Sequence, residues 1–246
     1  MPSKSLKSPA ESSAKNATKN STKSSPKSRT LSKKKIFSTA LALVDEKGLS
    51  SLSLRALGQR LGVSQAAFYR HVPNKSALLE GVSEEVLRRA LESFISGIER
   101  NAEVYSQMSW QNYLRAYAVS LHDTLLKHPN VIMLVLTHPI STPGQLSLFA
   151  KMLANLSKTG FSAPLDMLGI ATAVTVYTTG FSASEAVPPV GSTSEEDAPS
   201  LSEAIKSLPA DELDSLSMLI GEIMESKWNF SMQFERGLDA LLQGWK

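Results

Sequence analysis

Apolar residues recur along most of the chain at intervals of three and four, the spacing that places them on one face of a helix. The clearest case lies between residues 52 and 79, where two short amphipathic segments meet at Gly62. Glycine suits the left-handed conformation that often ends a helix, and Ser64 stands where it can cap the next one. Four apolar residues have the spacing of one core shared by both segments: Leu57, Leu61, Val63 and Phe68. We therefore predict two short helices joined by a tight turn, with Gly58 allowing them to approach closely.

The rest of the chain continues this helical pattern, and no segment alternates in the way that predicts a β-strand. One helix, residues 33–48, precedes the two short helices. Seven more are predicted to follow, at about residues 74–100, 109–127, 131–136, 145–158, 163–184, 211–224 and 228–242. A polar segment rich in Pro, Gly and Ser, residues 186–200, is predicted to be a loop. The predicted fold class is all-α.

The second short helix carries side chains suited to contact with DNA. Two short helices at this spacing form a helix-turn-helix, which places its second helix in the major groove. Gln65 can pair with adenine N6 and N7, and the small Ala66 and Ala67 allow close approach to a thymine methyl. Arg55 and Lys75 are expected to hold phosphates, which position a protein without reading sequence. The complete set of candidates is Arg55, Ser64, Gln65, Ala66, Ala67, Tyr69, Arg70, His71 and Lys75.

An ordinary helical hairpin inside a larger bundle is the alternative interpretation of this segment. Each candidate taken singly is as consistent with a solvated surface as with DNA contact. Their clustering around one short helix favours DNA contact.

Composition limits what the rest of the chain can be. The 246 residues are enough for two domains, and 42% of them are hydrophobic, so a substantial core is available. The absence of cysteine excludes a disulfide framework and a thiolate metal site, and it fits a reducing cytoplasm. No apolar run approaches the roughly 20 residues of a membrane span, and the N-terminus lacks the apolar core of a secretory signal. We therefore expect a cytoplasmic protein without a membrane partner.

The positive charge of the chain is concentrated at its N-terminus. The net charge is only +3, yet the first 33 residues hold a single acid, Glu11, and many basic side chains. These are Lys4, Lys7, Lys15, Lys19, Lys23, Lys27, Arg29 and Lys33. Residues 1–32 have few apolar side chains with which to build a core, so we predict a disordered basic arm.

The arm has three possible roles. It is expected either to solubilise the protein or to follow phosphates and enter the minor groove beside the bound helix. Its position before the first helix and the element SSPKSR (Ser24–Arg29), which resembles short minor-groove-binding segments, favour DNA contact. A transit peptide is the third possibility, but the arm has no amphipathic face.

The segment RALGQRLGVSQAAFYRHVPNKSALL, residues 55–79, resembles the DNA-binding domain of the TetR family of transcriptional repressors. In that family a preceding helix packs against the motif, and residues 33–48 supply one. The resemblance places Arg55, Gln65, Ala66, Tyr69, His71 and Lys75 on DNA-contact positions of the family. Gln65 and Val72 differ from the residues found in many members. The implied organisation is a DNA-binding domain at residues 33–79 and a helical regulatory and dimerisation domain at residues 80–246.

The C-terminal part resembles the regulatory domain of tetracycline repressors up to about residue 185. The matching segments are Trp110–Asn130, the turn Thr137–Pro139 and Gly160–Ser162. The resemblance implies a homodimer, in which the helix at 163–184 and the last helix pair with their copies in a second chain. A dimer also suits DNA recognition, because two heads on a palindrome multiply specificity.

The same resemblance implies a ligand pocket of altered chemistry. Tetracycline repressors bind a drug–magnesium chelate through histidines, whereas Leu134 and Thr175 stand at those positions here. Tyr117 replaces an Asn, and His138 replaces an Arg. We therefore predict no tetracycline–magnesium binding, no metal and no cofactor, and a hydrophobic small molecule as effector. The candidate pocket residues are Tyr113, Tyr117, Leu121, Met133, Leu134, Thr137, His138, Thr175 and Tyr177, each of which is also consistent with an ordinary place in the core.

The expected function is transcription regulation rather than catalysis. HExxH, GxSxG, P-loop and Gly-rich dinucleotide motifs are missing from the sequence, and the acidic pair Glu84 and Glu85 is expected to be solvated. We expect a repressor that an effector releases from a palindromic operator, with the helix at 74–100 acting as a lever, and that lies on the bacterial nucleoid when bound. One alternative is an effector-independent or architectural DNA-binding protein that uses its basic arm. Another is a helical regulatory module whose DNA-binding head is vestigial.

Overall fold

Nine α-helices run through the residues that the computed structural model describes. These residues are 31–69, 71–101, 108–137, 142–161, 163–186 and 229–245, with a few positions between 207 and 221. The helices are α1 (Lys33–Lys47), α2 (Leu54–Leu61), α3 (Gln65–Tyr69), α4 (Lys75–Arg100), α5 (Trp110–Lys127), α6 (Ile132–Thr137), α7 (Pro143–Leu156), α8 (Pro164–Ala186) and α9 (Phe230–Gly244). Three short 3-10 helices lie at Leu49–Ser51, Pro129–Val131 and Ser157–Thr159. This part of the chain contains no strand, and the predicted all-α class is confirmed.

Helices α1 to α3 form a small head with its own buried side chains. Ser32 and Ser53 cap α1 and α2, because their hydroxyls accept the backbone N–H of Lys35 at 3.2 Å and of Ala56 at 3.1 Å. α1 packs against α2 and α4. The apolar stripe that α1 buries consists of Ile36, Ala40, Leu41, Leu43 and Val44.

Helix α4 extends from the head into the rest of the molecule, which we call the body. Its 26 residues give it a length of about 39 Å. Asn74 caps its start by accepting the backbone N–H of Ala77 at 2.8 Å. α4 packs against α1 in the head and along α5 in the body. One continuous helix therefore connects the two regions, and the predicted domain boundary at residues 79 and 80 falls inside it.

The body is built around α5, which packs against both α4 and α8, while α9 covers α8 and α5. Aromatic contacts close this last junction: the His122 ring stacks on Phe234 with centroids 4.2 Å apart. The Tyr177 hydroxyl donates to the Phe234 carbonyl at 2.9 Å. Arg115 of α5 pairs with Glu235 of α9 at 3.3 Å.

Most of the predicted helices occur within about two residues of their expected bounds. The predicted helix at 211–224, the loop at 186–200 and the basic arm lie mostly or wholly outside the described residues. Among the described helices, none is by itself long and apolar enough to cross a membrane. One sharply bent pair, Pro143–Thr159 with Pro164–Ala186, passes that test by length and composition when the two are taken together.

Candidate DNA-binding helix and internal cavity

The turn between α2 and α3 depends on two glycines. Gly62 ends α2 in the left-handed conformation, with φ of 66°, and the Val63 N–H donates back to the Gly58 carbonyl at 3.1 Å. A Cβ on Gly58 would lie 3.1 Å from the Val63 carbonyl oxygen and 3.4 Å from the Phe68 ring. Leu57 and Phe68 are fully buried beneath the turn. A larger residue at Gly58 would therefore push α3 away from α2.

Helix α3 has one buried and one exposed side. Phe68 faces the core, whereas Ala66 and Ala67 are exposed and Tyr69 is 52% exposed. An exposed aromatic beside two small residues leaves room for a partner surface to approach the backbone of α3. This arrangement is the one that a recognition helix needs in a major groove.

The other candidate DNA contacts flank α3 in the chain. Arg55 at the start of α2, Ser64 before α3 and Lys75 at the start of α4 are all exposed, and His71 is half-buried. The side chain of Gln65 and all of Arg70 lie outside the described residues. The exposed cations Arg55 and Lys75 thus lie within the first two residues of the helices on either side of α3.

The head packs on α4 through the Phe37 ring of α1, which lies against the backbone of α4 at Gly81. A Cβ on Gly81 would overlap the Phe37 ring of α1, so glycine is required for this contact. α1 in turn packs on α2, so α1 connects α4 with the helix-turn-helix.

A second, polar contact joins the head to the body. The Asn130 amide donates to the Val44 carbonyl at the end of α1, at 3.1 Å. His128 Nδ1 lies 2.9 Å from the Asp45 carboxylate. On the other side of the ring, His128 Nε2 lies 3.4 Å from the Arg89 guanidinium of α4. Arginine can only donate, so this geometry favours the tautomer in which Nδ1–H donates to Asp45 and Nε2 accepts.

A cavity of about 440 Å³ lies among α4, α5, α6, α7 and α8. None of the described residues that line it carries a charge: Leu87, Ala90, Leu91, Tyr117, Leu121, Val135, Leu136, Gln145, Leu146, Leu148, Phe149, Met152, Leu168, Thr172, Thr175, Val176 and Thr179. Both its volume and its apolar walls are typical of sites for small organic molecules.

The cavity opens to solvent through an apolar rim. Four of its lining residues, Leu136, Leu146, Leu168 and Val176, are each at least 40% exposed. Large exposed apolar side chains that adjoin each other are typical of binding surfaces.

A few hydrogen-bonding groups interrupt the apolar wall. The Thr175 hydroxyl donates to the Ala171 carbonyl at 2.7 Å, so the Tyr117 hydroxyl, 3.1 Å away, donates to Thr175. Burial raises the pKa of Tyr117 further above neutral pH, so this hydroxyl is available as a donor. Gln145, only 3% exposed, adds a side-chain amide to the described lining.

The predicted pocket residues that the structure describes fall into two groups. Tyr117, Leu121 and Thr175 line the cavity. Five lie elsewhere: Tyr113 and Leu134 are buried beside it, Met133 and Thr137 are exposed on α6, and Tyr177 bonds to α9. His138 lies outside the described residues. In the part of the chain that is described, no group of three or more His, Asp or Glu side chains could hold a metal ion.

The sequence interpretation missed the contribution of α7, whose lining residues are Gln145, Leu146, Leu148, Phe149 and Met152. The available signal was the apolar character of α7 on more than one face. The expectation of a solvated Glu84–Glu85 pair is wrong for Glu85, which is 3% exposed. Arg88 and Arg89 donate to its carboxylate at 2.7 and 3.1 Å, and this pairing makes its burial tolerable.

Two family models match the chain. Residues 36–82 match the bacterial regulatory proteins of the tetR family. Residues 106–246 match the tetracyclin repressor-like C-terminal domain. The first match covers the head and the second covers the described helices from α5 to α9.

Curated relatives agree with these matches. An HTH-type transcriptional regulator from Saccharopolyspora erythraea is 29% identical over 214 residues, which cover 87% of this chain and 84% of that protein. The class D tetracycline repressor from Escherichia coli is 34% identical over 98 residues, 40% of this chain and 41% of that repressor. The class E repressor from Escherichia coli is 33% identical over 151 residues, 61% of this chain and 66% of that repressor.

Solved structures share the fold. Apo ActR from Streptomyces coelicolor superposes with a TM-score of 0.66 at 24% identity, over 87% of this chain and 94% of that one. TetR from Acinetobacter baumannii AYE gives a TM-score of 0.56 at 25% identity, over 87% of this chain and 96% of that one. The chain therefore belongs to the TetR family and is a transcription regulator with a DNA-binding helix-turn-helix.

Proposed function

We propose that this protein is a repressor that binds a palindromic operator as a homodimer and leaves it when an uncharged, hydrophobic effector enters the body. The observation that carries the proposal is the presence, in one chain, of an exposed recognition helix that directly precedes α4 in the helix order and an apolar cavity that α4 helps to line. Regulators of this family bind DNA and small molecules and act as dimers.

Side chains of α3 contact the bases, and cations on the two neighbouring helices bind the phosphates. Ala66 and Ala67 let the backbone of α3 approach the floor of the groove, while Gln65 and Tyr69 reach base edges. Arg55 and Lys75 bind phosphates on either side of the groove and fix the position of the head.

An uncharged effector suits this cavity, because its described lining residues offer no counter-charge and burying an unpaired ion is costly. It carries a few polar groups that Tyr117, Thr175 and Gln145 can bind. ActR structures were solved with actinorhodin and with (S)-DNPA, and a TetR variant from Acinetobacter baumannii with minocycline. Leu134 and Thr175 supply no imidazole to a metal, so a tetracycline–magnesium chelate is not the effector here.

The second chain pairs along α8 and α9. Leu165 of α8 is 83% exposed, and Leu168 and Val176 continue the apolar stripe on the same helix. A partner copy would remove these side chains from water, which supports a symmetric seam. Sedimentation of Leu165→Asp should show a weaker dimer than the unaltered protein, and an unchanged dimer would place the seam elsewhere.

The basic arm favours one rival function, an architectural DNA-binding protein without an effector. Its many lysines would bind any duplex with similar affinity. The two functions differ in the ratio of operator to random-sequence affinity, which is near one for the rival.

Selection from random duplexes with the full chain tests the proposed function. We expect a self-symmetric consensus, bound at least about a thousandfold more tightly than random DNA at the same salt concentration. Lys75→Ala should weaken binding to all sequences alike, whereas Tyr69→Ala should also relax the consensus. A gel-shift screen of neutral aromatic compounds on the selected duplex then tests release. A consensus without symmetry, or none at all, would contradict the proposal.

A further inference from the structure

Glu84 connects the long helix α4 to the start of α7. The Thr142 hydroxyl, immediately before α7, donates to Glu84 Oε2 at 2.6 Å. This short distance between a hydroxyl and a carboxylate is typical of a strong, charge-assisted hydrogen bond. The negative charge also lies at the positive end of α7, where the helix dipole favours it.

Thr142 also belongs to a reciprocal cap with a residue of the cavity wall. Its hydroxyl accepts the Gln145 N–H at 3.0 Å, and its own N–H donates to Gln145 Oε1 at 3.1 Å. Gln145 is buried and lines the cavity. A single threonine therefore touches both the ligand-facing amide and the carboxylate on α4.

The backbone at Gly144 is shaped for this contact. A Cβ there would overlap the Glu84 carboxylate, so a larger residue would displace that side chain from its place beside Thr142. Because the carboxylate is the end of a flexible side chain, it can move aside without disturbing the core. Gly144→Ala would thus break the contact while leaving the fold intact.

We propose that Glu84, Thr142 and Gln145, which we call the α7 latch, couple the cavity to the DNA-binding head. The inference rests on the proposed function and names the residues through which it operates. A ligand group that turns the Gln145 side chain toward itself takes the acceptor Oε1 away from the Thr142 N–H and loosens the first turn of α7. The Thr142 hydroxyl then loses its fixed position against Glu84, and α4 is free to move with the head. The latched form is the one that binds DNA.

Hydrogen exchange tests the coupling in the reverse direction, because linkage between two sites is reciprocal. Binding of the selected duplex to the full chain should slow amide exchange at residues 142–146 by roughly tenfold. Glu84→Ala should abolish this change. Glu80→Ala removes the same charge one turn earlier on α4 and should leave the change in place. Equal slowing in Glu84→Ala and the unaltered protein would overturn the latch.

Affinities separate coupling from a structural defect. Glu84→Ala and Gly144→Ala should each weaken binding of the selected duplex by roughly tenfold. The same variants should bind the neutral probe N-phenyl-1-naphthylamine more tightly, because the two ligands favour opposite forms. Thr142→Ser, which keeps the hydroxyl, should behave as the unaltered protein. Glu84→Gln keeps the size of the side chain but removes its charge, and it should change both affinities in the same directions as Glu84→Ala. Weakening of both ligands together would mark a purely structural role and overturn the proposal.

Failure of the proposed function looks different from failure of the latch. If selection recovers no preferred duplex, the repressor function fails and the latch fails with it. If a duplex is recovered but Glu84→Ala binds it as Glu80→Ala does, only the latch fails.

Discussion

Single residues decide how closely the helices of the body approach each other. Tyr177 crosses from α8 to α9, where its hydroxyl bonds to the Phe234 carbonyl at 2.9 Å. It can do so only because Gly237 offers no side chain at the point of contact. The sequence places Tyr177 among the candidate pocket residues, and in the structure its hydroxyl bonds to the last helix.

Gly237→Ala should therefore destabilise the protein by about 1–3 kcal/mol, because the new Cβ overlaps the Tyr177 hydroxyl. The free energy of unfolding in urea measures this effect. Gly97→Ala, in a helix position with open space around it, is the control and should be stabilising by up to about 1 kcal/mol. Adding Tyr177→Phe should recover part of the loss, and purely additive effects would argue against the clash.

Buried tyrosines make stability fall at alkaline pH. Burial raises the pKa of Tyr113 well above its ordinary value, so the folded chain keeps a proton that the unfolded chain loses near pH 10. This contribution is complete below pH 10 and decreases as the pH rises through and beyond it. Tyr113→Phe should reduce the slope of unfolding free energy against pH by about 1.4 kcal/mol per unit above about pH 10.5. The exposed Tyr69→Phe is the control, and an equal change of slope there would contradict the explanation.

At the scale of helices, caps and ends determine the coupling between head and body. α1 ends where Asn130 binds its last carbonyls and where His128 meets Asp45. α4 begins at Asn74, directly after the recognition helix and its following turn. The head therefore contacts the body at two places. The Phe37 ring of α1 packs against α4, and the segment between α5 and α6 binds the end of α1.

Asn130→Ala should loosen the head without changing its DNA-contact residues. We expect a loss of about 1 kcal/mol in unfolding free energy, the typical value of such a hydrogen bond. Operator affinity should fall several-fold, whereas binding of a neutral probe to the cavity should change little. Asn112→Ala, at an exposed position of α5, is the matched control. Unchanged operator affinity in Asn130→Ala would show that the contact is not needed for DNA binding.

The helix-turn-helix could be predicted from the sequence because its determinants are local. Gly62 ends one helix, Asn74 starts another, and the spacing of Leu57 and Phe68 fixes the core between them. The cavity could not be predicted in the same way, because its wall comes from five helices that are distant in sequence. Tyr177 and Tyr117 look alike in an apolar helical pattern, yet only Tyr117 reaches the cavity. Gln145 and Glu84 acquire their roles only when α7 is placed beside α4.

At the scale of the whole molecule, the basic N-terminal arm differs in charge from the rest of the chain. The basic arm lies outside the described residues, but its composition is plain in the sequence. Without its first 33 residues the chain carries more acids than bases, so we expect most of the general attraction to DNA to come from the arm.

Deleting residues 1–32 should weaken binding to operator and random DNA alike. The plot of log affinity against log salt concentration should become shallower by about one unit for each phosphate contact that the arm makes. Dimer formation and probe binding should be unaffected. An unchanged salt slope would identify the arm as a solubilising tail.

The length of α4 has a geometric consequence for DNA. A tilt of about 5° at one end of a rod about 39 Å long displaces the other end by about 3 Å. Successive base pairs are about 3.4 Å apart along the duplex. A tilt of α4 by this small angle would therefore shift a reading head along the duplex by nearly one base pair.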